Sequence, residues 1–194
     1  MSISDACGCE GDRPDSELRR KVIKIAVAGV TAPLVLTGGL AHAQVTRGDR
    51  LVEEDAEGTP VPLKASDLRV GKPVVAYPFD ANKSLTRNDS RLNKIVLLKL
   101  PEGDLDPKTK ARAAGGVIAY SAICTHTGCD VKTWLAKDKA LICFCHSSKF
   151  SLLEDGVVSG GPAPRSLPSI PLALEGDQLV IAGPFSAAPG AAGS

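Results

Sequence analysis

Between positions 124 and 146 the chain places four of its six cysteines and two of its three histidines. They form two groups, Cys124-Thr-His126-Thr-Gly-Cys129 and Cys143-Phe-Cys145-His146-Ser-Ser148, each offering a Cys and a His at close spacing. Cys and His scattered as buried core filler do not cluster in this way. The pattern is that of a metal site assembled from two loops.

The remaining sequence reads as a scaffold for those loops. A chain of 194 residues fits one domain with terminal segments. Aromatics are scarce, at 4%, while Gly (19) and Pro (14) are frequent, which favours short strands joined by tight turns. Strand patterns fall at 74–77, 94–100, 117–121, 140–143, 170–174 and 178–182. Residues 101–115 are rich in Pro, Gly, Lys and Asp without apolar periodicity, so a loop or short helix is expected there. The expected fold class is all-β, a sandwich of antiparallel sheets. A net charge of +1 with no basic stripe argues against nucleic acid as a partner.

Three segments lie outside this scaffold. Residues 1–43 read as an export signal: Arg19-Arg20-Lys21, an apolar run over 25–40, then Ala41-His42-Ala43 as an A-x-A site. The rival reading is a retained membrane anchor, although the run is short for a span and Pro33, Gly38 and Gly39 interrupt it. Cys7 and Cys9 lie upstream of the twin arginine, and two thiols alone do not complete a metal site. Residues 44–72, with Glu53-Glu54-Asp55, read as a linker and domain entry, and 184–194, made largely of Ala, Gly, Pro and Ser, as a disordered tail.

The two motifs resemble those of the Rieske proteins, C-x-H-x-G-C and C-x-C-H-x-S, over roughly residues 60–183. The resemblance implies a Rieske domain at 73–183 with a small cluster-binding subdomain at about 117–166. It implies one 2Fe–2S cluster per chain, with Cys124 and Cys143 on the buried iron and His126 and His146 on the outer one. Cys129 and Cys145 match the pair that forms a disulfide in part of this family, which agrees with export to an oxidising compartment. Ser148 matches a hydroxyl that donates to a cluster sulfide. Gly161, Pro162, Ala163 and Pro164 match the proline loop that covers the cluster. Phe150 stands where high-potential members carry Tyr, and Ser147 replaces the usual Gly.

Structural zinc is the rival for this donor set, but it needs four ligands, leaves two Cys without a task and prefers other spacings. A ring-hydroxylating oxygenase would need two more His than the exported chain has. What the resemblance implies is one-electron transfer with no independent catalytic site. One expected setting is the small subunit of a periplasmic oxidoreductase like arsenite oxidase, with a large catalytic subunit and a downstream cytochrome as partners. The alternative is the iron–sulfur subunit of a cytochrome bc complex, which keeps its anchor in the inner membrane and is partnered by quinol and cytochromes b and c. A metal-free binding module of the same fold is a third.

Overall fold

The computed structural model describes residues 43–55 and 58–191. The readings made for 1–42, the twin-arginine signal and the Cys7/Cys9 pair among them, lie outside the described residues. Strands β1 (Arg50–Glu53), β2 (Val74–Asp80), β3 (Leu85–Thr86), β4 (Ile95–Lys99) and β5 (Val117–Ser121) come first. Four short strands follow, β6 (Thr133–Leu135), β7 (Ala140–Cys143), β8 (Ser148–Ser151) and β9 (Val157–Gly160). The chain then returns through β10 (Leu172–Glu175) and β11 (Gln178–Ile181). All strand pairs are antiparallel, in a seven-stranded sheet ordered β10-β11-β1-β2-β4-β5 with β3 beside β2, and a four-stranded sheet ordered β6-β7-β8-β9. The all-β expectation holds. A single turn of helix, α1 (Pro107–Lys110), sits in the 101–115 loop, where Asp106 caps it by accepting from Thr109 N at 2.6 Å.

The continuous apolar runs of β4 and β5 have a simple cause. Side chains alternate across a strand, so a strand buried on both faces must be apolar at every position. Val96 and Leu98 of β4, with Ile118 and Tyr120 of β5, join the core that also contains Cys124 and Cys143. Ile95, Leu97, Val117 and Ala119 point the other way, into a core shared with Leu51, Leu172, Leu179 and Ile181. The sheet curls around that second core. Backbone bonds Ser121 N to Pro168 O (2.8 Å) and Ile170 N to Ala119 O (2.9 Å) bring the run before β10 back to β5.

Two segments differ from the sequence expectation. The 44–72 stretch is no free linker: Arg50–Glu53 is a strand paired along its length with β2, and Leu51 and Val52 are buried. Two apolar residues flanked by charges carry too little periodicity to announce a strand. The tail is ordered as far as residue 191: Ser186 N donates to Ser169 O (2.8 Å), and the Arg165 guanidinium donates to Ala188 O (2.8 Å) and Gly190 O (2.7 Å). Its small residues let the backbone come close enough to be held by its carbonyls.

Candidate metal centre

The four-stranded sheet and its loops are inserted between β5 and β10. The first loop leaves β5 through Ala122 and Ile123, both buried, and turns over residues 124–129. Cys124 N donates to Cys129 O (2.7 Å) and Gly128 N to Cys124 O (3.0 Å), and Gly128 has φ +76°, which suits glycine. Val131 N then bonds Ala122 O (2.8 Å), so the loop is a closed Ω on the end of β5. The second loop is the connection between β7 and β8, opening at Cys143 and closing at Ser148, which are register partners.

These turns bring the predicted residues together. Cys124 and Cys143 are the two free thiols among the described residues, and both are buried. The His126 and His146 rings lie edge to face with centroids 4.7 Å apart, and their Nδ1 atoms face each other at 3.2 Å. His146 is exposed and His126 half-buried, so the imidazole side of the site meets solvent and the thiol side does not. Cys129 and Cys145 form the disulfide that joins the loops. The sulfurs of Cys129, Cys143 and Cys145 all lie within 4.8 Å of one another, and of these Cys143 alone keeps a free thiol. Burial pushes the Cys143 thiol up, as does neighbouring Cys124, while N–H donation from Cys145 and His146 pulls it down. His126 N lies 3.5 Å from Cys124 Sγ in the same donating sense.

The donor set fits a 2Fe–2S cluster. Two adjacent buried thiols cannot both ionise without a cation between them, and the backbone N–H groups are already aimed at the sulfurs. Two Nδ1 atoms converging on one space suit a shared metal. Ser148 Oγ is buried without a hydrogen-bond partner, a donor left over unless something between the loops accepts from it. The segment expected to cover the site packs beside the two thiols. Ala163 is buried in the same core as Cys124 and Cys143, while Gly161, Pro162 and Pro164 are exposed. Gly161 is required there: with φ +80°, a Cβ would sit 2.5 Å from Ser148 Cα and 2.7 Å from Ser147 O. Phe150 is fully buried in that core.

Several residues near the site carry no signal in the sequence. Thr125, fully buried between the first Cys and His, donates from Oγ1 to Arg165 O (2.8 Å) and so ties the cover to the first loop. Arg91 and Lys94 reach the same loop from the sheet. Their partners lie 36 to 39 residues away along the chain, beyond any motif.

Thiols at the bottom, imidazoles at the rim and a covering loop define an iron–sulfur electron-transfer domain. Comparison with known proteins agrees. The Rieske [2Fe-2S] domain family model matches residues 61–171, more than half of the chain. The cytochrome bc1 complex Rieske iron-sulfur subunit of Streptomyces lividans is 30% identical over 68% of this chain and 77% of its own length. That of Corynebacterium diphtheriae is 34% identical over 87% of this chain and 45% of its own. A putative respiratory nitrate reductase Rieske subunit of Haloferax mediterranei is 29% identical over 81% of this chain and 69% of its own. The chain spans about half the length of some of these relatives, 47% for the Streptomyces coelicolor bc1 subunit. The chain belongs to the Rieske iron–sulfur family, whose cofactor is a 2Fe–2S cluster and whose work is electron transfer.

Proposed function

We propose that this chain is the iron–sulfur subunit of a respiratory complex of the cytochrome bc type, passing single electrons from a quinol to a cytochrome. The relatives named as bc1 Rieske subunits favour this over the small subunit of an arsenite oxidase-like enzyme. The observation that carries the electron-transfer reading is the convergence of His126 Nδ1 and His146 Nδ1 above the buried thiols. Cys124 and Cys143 would hold the inner iron in the buried part of the site, away from water. His126 and His146 would hold the outer iron through the converging Nδ1 atoms, which would leave each Nε2–H to meet a partner. When bound, the cluster takes up and releases one electron. Phe144, 72% exposed between Cys143 and Cys145, adds an apolar contact beside His146 for the docking partner. Export by the twin-arginine route belongs to the same reading, since it carries proteins folded around their cofactors. Among the described residues no helix is long and apolar enough to cross a membrane.

A second reading has an observation of its own. Phe150 offers no hydroxyl to a ligand sulfur, and a lower potential suits an oxidoreductase other than a quinol-oxidising one. Isolation of the native complex separates the two. Cytochromes b and c that co-purify, with quinol oxidation lost in His146→Ala, support the bc reading, and a molybdenum-containing large subunit overturns it. Ser148→Ala should lower the cluster's midpoint potential by on the order of tens of millivolts, as removal of a donor to a sulfide destabilises the more negative reduced state. An unchanged potential would show that Ser148 Oγ does not face the cluster.

A further inference from the structure

The disulfide ties the first loop to the second. A separate tie runs from the first loop to the seven-stranded sheet. One guanidinium nitrogen of Arg91 donates to Gly128 O (3.2 Å) and to Asp130 Oδ1 (2.6 Å). The Lys94 ammonium takes the other carboxylate oxygen, Asp130 Oδ2 (3.1 Å), and pairs with Glu54 Oε1 at 2.6 Å. Both cations stand on a fixed base. Arg91 opens the 3-10 turn Arg91–Asn93, capped by Ser90, whose Oγ accepts from Leu92 N at 3.2 Å. The fully buried Asn93 amide locks that turn onto Arg87 O (3.0 Å) and Asp89 Oδ1 (3.3 Å). Lys94 leads directly into β4.

An isolated surface ion pair contributes little, because water and salt screen it. This one is built differently. The Lys94 side chain is only 10% exposed, against 63% for Arg91, and each Asp130 oxygen meets a separate cation. Burial pushes Asp130 up, but Arg91 and Lys94 outweigh it and hold the carboxyl below the usual range. Asp130 itself is bridged to Ile123 across the neck of the loop, and Gly128 is two residues from His126.

We propose that Arg91 and Lys94, acting through Asp130 and the Gly128 carbonyl, are positioning residues that hold the cluster-binding loop on the sheet independently of the disulfide. The proposal rests on the reading that Cys124 and His126 are cluster ligands. Two ties pull the same loop toward different bodies, so either one alone restrains it. With one tie lost the other still limits the loop, so losing both should cost more than the sum of the two.

The test follows cluster absorbance in the purified, cluster-loaded full chain under an iron chelator. The proteins are wild type, Arg91→Gln, Asp130→Asn, those two changes together, the Cys129→Ser/Cys145→Ser pair, and all four changes combined. Each tie lost alone should speed cluster loss by about two- to tenfold, and both together by about fivefold or more beyond the product of the two. Paramagnetic resonance of the reduced cluster should broaden in the combined variant as the His126 ring loses its single orientation, which a general loss of stability would not cause. Effects that simply multiply, or the Arg91→Gln/Asp130→Asn protein behaving as wild type once the disulfide is absent, overturn the proposal. If the disulfide-free variants fail to take up iron, an anaerobic dithiol added to loaded wild type and Arg91→Gln asks the same question. Wild type without iron would instead defeat the ligand reading. The clamp is then still read by hydrogen exchange at the Gly128 amide, which Arg91→Gln should speed and which, left unchanged, overturns it.

Discussion

Four of the five residues of β4 and all five of β5 are buried, whereas β6 has no fully buried residue and β9 none either. The seven-stranded sheet is held by apolar packing on both faces of β4 and β5. The four-stranded subdomain has one shared core, and relies besides on a disulfide, a glycine pressed against a backbone and hydrogen bonds from Thr125 and Arg91. A packed sheet tolerates small shifts along its length. A cluster cradle must fix two loops relative to each other, and point restraints do that better than an apolar surface, which lets parts slide.

Substitutions in each region should give different signatures. The largest effect is expected for Leu97→Ala on β4, in the core that excludes the cluster cysteines, a loss of about 2–5 kcal/mol from transfer and cavity terms, seen as a lower urea midpoint for the whole domain. Cluster release from this variant while the sheet remains folded would break the comparison. Cys129→Ser opens a cross-link of separation 16 and should cost about 3 kcal/mol. Here the cluster's absorbance should decay well before the far-ultraviolet dichroism of the sheet, and coincident transitions would count against separate regimes. Gly161→Ala should cost about 1–3 kcal/mol, because the added carbon meets the Ser148 backbone and must displace the cover. Faster cluster loss at lower urea, with the far-ultraviolet dichroism midpoint of the sheet unchanged, is the expected pattern. Smallest is Ser147→Gly. Ser147 holds φ +57°, so glycine should stabilise the second loop by about 0.5–1 kcal/mol and slow cluster loss. A destabilised loop would show that the Ser147 side chain does something its exposure hides.

The same division explains what could be read from the sequence. The uninterrupted apolar runs announce β4 and β5 because both faces are covered. Residues 74–77, 140–143 and 178–182 likewise anticipate β2, β7 and β11 to within a few positions. β1 escapes because only Leu51 and Val52 are apolar between charged neighbours, and β8 because it opens with Ser148 and Lys149. At the metal centre, the Cys and His positions are legible because metal chemistry dictates residue type and spacing. The hold of Arg91 and Lys94 on Asp130 is not. Any charged surface offers such residues, and only folding decides which ones meet. The positive φ of Ser147 gives a physical reason for the family's Gly at that position, which the motif alone could state only as a pattern.

The end of the chain has a stake in the redox centre. Arg165 hands its backbone carbonyl to Thr125, the residue between Cys124 and His126, and uses its guanidinium to hold the carbonyls of Ala188 and Gly190. A protease that clipped the chain near Phe185 would leave every ligand in place, yet it would strip that guanidinium of both acceptors. A cut at Phe185 would then surface as a spectroscopic change at Thr125, about sixty residues upstream. Heterogeneous cluster signals in otherwise pure protein would be a reason to weigh the intact mass before suspecting the iron.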